Sequence, residues 1–277
     1  MSNTKVWYIT GASKGMGLSL VKQLLDKGYR VAATSRTIGA FNIVEKHKKN
    51  FLALEVDLKD EQSIACSIKK AVEVFGSIDV VVNNAGYGLG GSIEELTTLE
   101  IQENFQVNFF SIVSVIKQVL PFMREKHSGY IINISSIAGF SPGIGWSMYS
   151  ATKAAVSGLS QALSNDLKPL GIKVTNVIPG WFRTNFAKKD SIVYSKESIA
   201  DYSYLNEAYN KMSILDGMQL GDPDKIADVF IELVNGNDPI TDLFLGSDAF
   251  NRAKQRIEHL SKEMDRNKKW SYYTDFE

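Results

Sequence analysis

The chain has 277 residues, 44% of them hydrophobic, enough to bury the core of one large α/β domain. Lys+Arg and Asp+Glu both total 31, so the formal charge is zero and composition gives no basis for a chain-wide attraction to nucleic acid or to an anionic membrane. The single cysteine, Cys66, rules out an internal disulfide; it lacks Cys or His partners at metal-ligand spacing and is read as a small buried apolar side chain on a helix.

Only five residues of strand-like sequence follow Met1–Lys5, too few for the apolar core of a secretion signal. No uninterrupted apolar run approaches membrane-spanning length, so the chain is expected to be soluble and cytoplasmic, with no metal. Val6-Trp7-Tyr8-Ile9-Thr10 is an apolar, β-favouring run, as a buried parallel strand should be. Gly11-Ala12-Ser13-Lys14-Gly15-Met16-Gly17 follows, and then Leu18, Leu20, Val21, Leu24 and Leu25 recur at helical spacing. Strand, glycine turn and helix start together make a phosphate cradle, because exposed backbone N–H groups and the helix dipole favour an anion. The glycines at 11, 15 and 17 do not have the G-x-G-x-x-G spacing.

A second strand, 30–35, ends at Ser35-Arg36, where an NAD site usually carries an acid for the ribose 2′-hydroxyl. Arg36, with Lys14 as a second cation, suits a 2′-phosphate and favours NADP(H) over NAD(H). A third strand, 51–56, ends in Asp57-Leu58, and a helix is expected over 61–75. A fourth strand, 78–82, ends in Asn83-Asn84-Ala85-Gly86. The strand–helix alternation predicts right-handed βαβ units and a parallel sheet, with ligands beyond the carboxyl ends of the strands.

A long helix is expected over 99–126, with Asn108 inside an apolar stripe and Pro121 expected to bend it or begin a new turn. A fifth strand, 130–134, delivers Ser135-Ser136 to the same edge. Tyr149 and Lys153, four apart, share one face of the next helix. An ammonium beside a phenol lowers its pKa, which makes the pair suited to moving a proton at an alcohol oxygen. A sixth strand, 174–178, ends in Pro179-Gly180, and a seventh is expected at 241–245. The irregular stretch between, with Tyr194, Tyr202, Tyr204, Tyr209, Met212, Leu215 and Met218, reads either as a lid over an apolar ligand or as helices packing on a core of their own. A C-terminal helix is expected over 248–264; the basic run 266–269 reads as a solvated face, and Trp270, Tyr272, Tyr273 and Phe276 as docking on the body or on a second subunit.

Taken together these motifs resemble the short-chain dehydrogenase/reductase family over roughly residues 4–185, with a weaker resemblance of the C-terminal part to its hydroxysteroid-dehydrogenase-like branch. Thr10-Gly11-x-x-x-Gly15-x-Gly17 resembles that family's cofactor loop, which accounts for the glycine spacing. The resemblance implies an adenine contact for Asp57, a strand-four motif in Asn83–Gly86, and a nicotinamide-contacting segment in Pro179-Gly180-x-x-x-Thr184. It implies that Asn108, Ser136, Tyr149 and Lys153 are catalytic, Ser136 rather than Ser135 because it precedes Tyr149 by thirteen residues. The implied fold is one doubly wound, Rossmann-like domain over 1–277, a mostly parallel seven-stranded sheet with helices on both faces, a lid at about 184–220 and a helical extension at about 247–277.

In the implied reaction hydride passes between the nicotinamide and a carbonyl carbon. Ser136 hydrogen-bonds the carbonyl oxygen, Tyr149 supplies its proton, Lys153 lowers the phenol's pKa and binds the ribose, and Asn108 holds a water leading to solvent. The expected activity is an NADP(H)-dependent carbonyl reductase or alcohol dehydrogenase acting on an apolar steroid-, retinoid- or acyl-like compound, in a homodimer or homotetramer formed through helices 99–126 and 147–167. The alternatives are a catalytically silent NADP(H)-binding regulator, or a dehydratase or epimerase on a related scaffold.

Overall fold

The computed structural model describes residues 4–39, 41, 49–187, 191–214 and 216–276. In chain order the elements begin β1 (Val6–Ile9), α1 (Gly15–Asp26), β2 (Arg30–Ser35), β3 (Phe51–Glu55), α2 (Glu61–Phe75), β4 (Val80–Asn83) and β5 (Gly88–Gly90). Then come α3 (Thr98–Phe105), a π-helical turn (Gln106–Phe110), α4 (Ser111–Glu125), β6 (Gly129–Ile134), α5 (Ile137–Phe140), α6 (Ser147–Asp166) and β7 (Ile172–Pro179). The chain continues through β8 (Ile192–Tyr194), α7 (Tyr204–Ile214), α8 (Ile226–Asn235), β9 (Asp242–Leu245) and α9 (Ser247–Tyr273).

Among the described residues seven strands form one sheet in the order β3-β2-β1-β4-β6-β7-β9, every pair parallel. Alternation along each strand divides the core. Trp7, Ile9, Val31, Val80 and Val82 face α1 and α8, meeting Leu20, Leu24, Ile226 and Phe230. Tyr8, Ala32, Val81, Ile131 and Val174 face α2, α4 and α6, meeting Ile64, Ile68, Ile112, Val115 and Val156. This is the doubly wound arrangement expected from continuous apolar strands. The strand order reverses between β1 and β4, which opens a crevice at their carboxyl ends.

Local signals explain the helix ends. Asp60 caps α2 by accepting the Gln62 N–H at 2.9 Å, and Gly76 closes it at φ +81°. Thr97 and Glu100 form a capping box on α3. Helix α4 continues through Pro121 to Glu125 rather than breaking. Pro121 and Lys117 both lie on the exposed side, where water can reach the carbonyl freed by the missing N–H. The helical stretch Thr98–Glu125 is long and apolar enough to cross a membrane by length and composition alone, but its apolar side, with Ile112, Val115, Val119 and Met123, is buried in the core.

Two expectations are corrected, and a small second sheet is added to the seven-stranded one. Cys66 is exposed, because Ile64 and Ser67 occupy the inward face of α2. A second, two-stranded parallel sheet pairs β5 with β8. The C-terminal helix is one continuous rod to Tyr273: Ala249 and Ala253 dock it on the body, but Trp270, Tyr272, Tyr273 and Phe276 are exposed on this chain, which rules out the first of their two expected settings, the body. The basic run 266–269 is exposed, as expected of a solvated face.

Candidate active site

A cleft of about 880 Å³ runs along the carboxyl edge of the sheet. It is lined by Gly11, Ser13, Lys14, Gly15, Met16, Ser35, Arg36, Asp57, Leu58, Asn84, Ala85, Gly86, Ser136, Tyr149, Lys153, Pro179, Gly180 and Thr184, which are the predicted site residues apart from Gly17 and Asn108. Those two sit behind the lining. Gly17 leaves no space for a side chain: a Cβ there falls 2.6 Å from Asn84 Nδ2 and 2.7 Å from the Gly11 carbonyl oxygen. Asn108 lies fully buried in the π-turn.

The cofactor end is built from backbone. Gly11 and Gly15 take φ values of +62° and +56°, a region side-chain-bearing residues avoid, and this turns the chain onto the start of α1. Helix α1 has no capping side chain and no acid in its first turn, so its first N–H groups are open to an anion. Asn84 braces the loop, its amide donating to the carbonyls of Thr10 and Gly11 at 3.0 Å each. Thr10 Oγ1 accepts the Asn84 N–H at 3.0 Å and the Ala85 N–H at 3.2 Å. Thr184 reaches across to Gly15, 3.6 Å from its Cβ position. Arg36 is exposed at the end of β2 and, with Lys14, lines the cleft where a 2′-phosphate would bind. The shape, the open helix start and the two cations fit NADP(H).

The reacting end is built by β6 and α6. Ser135 turns back into α6, donating to the Lys153 carbonyl at 2.7 Å. Ser136 lines the cleft beside Tyr149; its oxygen accepts the Ala138 N–H at 3.1 Å. Lys153 donates to the Ile134 carbonyl at 2.9 Å, with Nζ 5.9 Å from the centre of the Tyr149 ring. Burial pushes the Tyr149 phenol up to about 12, against a smaller opposing effect of Ser136, and pulls the Lys153 ammonium down to about 8. The expected depression of the phenol by the lysine is absent among the causes of its shift, which burial dominates and only Ser136 opposes.

Asn108 is engaged by backbone. Its amide donates to the Tyr87 carbonyl at 2.9 Å and to Thr152 Oγ1 at 3.2 Å, and its oxygen accepts the Tyr87 N–H at 3.0 Å. Gly86 packs over it, the Cβ position 3.1 Å from Asn108 Oδ1 and 3.3 Å from Lys153 Nζ. The side chain thus ties α3–α4 to the loop after β4 and shapes the bed of Lys153.

The far wall comes from parts that carried no motif. Trp146 meets Tyr149, Tyr194 and Tyr209 with ring centres 6.1, 6.1 and 5.6 Å away, and Phe186 stands 6.2 Å from Tyr149. The Gly88 N–H donates to the Ser191 carbonyl and the Ser195 N–H to that of Gly90, both at 2.9 Å, so the β5–β8 sheet fastens this wall beside Tyr149. Of the remaining residues singled out in this stretch, Tyr202 and Tyr204 pair at the outer side and Met218 is exposed; the Met212 side chain and Leu215 lie outside the described residues. Gly180 is held by α9: the Asp248 carboxylate accepts the Trp181 N–H at 2.8 Å.

Comparison with known proteins places this geometry. The short chain dehydrogenase family model matches residues 5–193. Oxidoreductase BOA17 of Botryotinia fuckeliana is 33% identical over 271 residues, covering 96% of this chain and 97% of that one. A solved short-chain dehydrogenase from Streptomyces avermitilis superposes with a TM-score of 0.89 at 33% identity, over 99% of both chains. The structure of ElxO with NADP bound gives a TM-score of 0.72 at 27% identity, over 90% of this chain and 99% of ElxO. The chain belongs to the short-chain dehydrogenase/reductase family of oxidoreductases.

Proposed function

We propose that this oxidoreductase uses NADP(H) to interconvert a carbonyl and an alcohol on a largely apolar substrate. When bound, NADP(H) supplies the hydride that reduces the carbonyl carbon. The solved relative with NADP bound, together with Lys14 and Arg36 in the cleft, supports that cofactor. Gly11, Ser13, Gly15, Met16 and the start of α1 hold its pyrophosphate, Ser35 and Arg36 its 2′-phosphate, and Asp57, Leu58 and Ala85 its adenosine side. Pro179, Gly180 and Thr184 hold its nicotinamide side.

One observation carries the reading: Ser136, Tyr149 and Lys153 line one cleft with apolar walls, and Lys153 Nζ stands 5.9 Å from the centre of the Tyr149 ring. The Ser136 oxygen accepts from Ala138, and its hydroxyl proton is the donor offered to a substrate oxygen. Tyr149, at about 12, keeps its proton at neutral pH and releases it when charge develops on that oxygen. In the reverse direction the phenolate takes the alcohol's proton back. Lys153 orients the ribose and favours the phenolate left after proton transfer; Asn108 positions Lys153 through Gly86. Trp146, Phe186 and Ile192 exclude water and select apolar substrates.

The assembly is proposed to pair through α3–α4 and α6, with Leu99 and Phe110 outward, 65% and 49% exposed, and the protein to act in the cytoplasm. The test is loss of NADPH absorbance with a panel of apolar ketones and quinones. Consumption of NADPH with formation of the matching alcohols supports the reading. Tight NADPH binding with no turnover across the panel favours the silent regulator.

A further inference from the structure

The substrate half of the cleft holds one charged side chain that the proposed chemistry does not use. Arg252, on the second turn of α9, lines the cleft together with Ile144, Trp146, Phe182 and Phe186. The other charged lining residues are placed at the cofactor and reacting ends: Lys14, Arg36, Asp57, Lys59, Glu103 and Lys153. Lys59 and Glu103 neutralise each other at 2.8 Å.

Arg252 has no such neighbour. Among the described residues no carboxylate lies within ion-pair distance of it. Asp248, one helical turn earlier, has a carboxylate oxygen on the Trp181 N–H instead. Among the described residues a single Nη of Arg252 donates, to the Ser141 carbonyl, which leaves four N–H donors of the fork without a partner there. That bond also fixes the guanidinium on the loop between α5 and Tyr149, so it is oriented before any ligand arrives.

We propose that Arg252 is an oxyanion subsite: the preferred substrates are ketones whose apolar body ends in a carboxylate or phosphate, which the guanidinium grips while the carbonyl reaches Ser136 and Tyr149. This inference rests on the reading above for the reaction itself. A planar guanidinium beside apolar walls binds a carboxylate or phosphate in two-point fashion and rejects an ammonium. The aromatic wall takes the hydrocarbon between the two ends.

Binding tests the subsite independently of turnover. The NADPH-saturated chain is titrated calorimetrically with decanoate, decyl phosphate and decanamide. Either or both oxyanions should bind about tenfold to a hundredfold more tightly than the amide, and whichever is favoured names the source of the anion. Arg252→Gln should erase the difference; Arg252→Lys, which keeps the charge but not the fork, should retain only part of it. Equal affinities for all three ligands, or a preference that survives in Arg252→Gln, overturns the subsite. Should Arg252→Gln not fold, an unchanged preference in Arg252→Lys overturns the two-point grip. In turnover, the ratio of kcat/KM for a keto acid over its methyl ester should fall by the same factor in Arg252→Gln. Oxyanion preference without NADPH consumption by any ketone refutes the proposed reaction and leaves the subsite standing; ketone reduction with no Arg252-dependent preference refutes the subsite alone.

Discussion

Replacing Lys153 by Met should abolish most turnover yet make the cofactor-free protein more stable at neutral pH. Burial pulls the Lys153 ammonium from its ordinary 10.5 down to about 8, with desolvation the only cause. Below pH 8 the lysine is charged in both the folded and the unfolded chain, so the folded state carries the whole desolvation penalty. As pH rises from 8 towards 10.5 the folded chain deprotonates first, and the penalty disappears. The gap between 10.5 and about 8, at 1.36 kcal/mol per pKa unit, makes that penalty about 3 kcal/mol at pH 7. Methionine fills the same slot without a charge, but it loses the 2.9 Å bond to the Ile134 carbonyl, which costs about 1 kcal/mol. The net gain is about 2 kcal/mol at pH 7, a rise of about 4–8 °C in Tm, shrinking below about 1 kcal/mol by pH 9.5. Scanning calorimetry of both proteins at the two pH values, without cofactor, is the assay. A Met variant that melts lower than the parent at pH 7, or whose advantage does not shrink by pH 9.5, refutes the reasoning: the lysine would then be paired rather than merely desolvated.

Arg36→Asp should swing the kcat/KM ratio of NADPH to NADH towards NADH by about tenfold or more, because an acid repels a 2′-phosphate and accepts from a 2′-hydroxyl; an unchanged ratio removes Arg36 from the cofactor site. Gly17→Ala places a methyl 2.6 Å from Asn84 Nδ2 and 2.7 Å from the Gly11 carbonyl, so it should cost about 1–3 kcal/mol of stability and weaken NADPH binding, read by fluorescence titration. Wild-type affinity in that variant would show that Asn84 does not brace the loop.

Most of the sheet was readable because its strands carry strong local signals. Val6–Ile9, Val80–Asn83 and Gly129–Ile134 are buried apolar runs, and each hands a polar or glycine-bearing end to the same edge. The β5–β8 sheet was not readable: Gly88-Leu89-Gly90 has almost no side chain to signal a strand, and its partner lies about a hundred residues on. Trp146 and Arg252 were missed for a related reason. A lone tryptophan before a helix and an arginine on a polar helix look like surface until the fold turns them inward. Cys66 went wrong because its neighbours Ile64 and Ser67 take the inward positions of α2, a phase that periodicity alone does not fix to one residue. The rise of the Tyr149 pKa was invisible in the spacing to Lys153, since burial of both groups depends on residues far away in the chain.

The measurement closest to the centre of the account is Tyr149→Phe, taken as two numbers together: kcat/KM with a ketone that the parent reduces, and the Kd for NADPH. Loss of the proton donor should lower kcat/KM by about a hundredfold to ten-thousandfold while the Kd stays within about twofold, because only the phenolic oxygen is removed. A variant that reduces the ketone at the parent's rate, or that loses NADPH binding in proportion to activity, would contradict it.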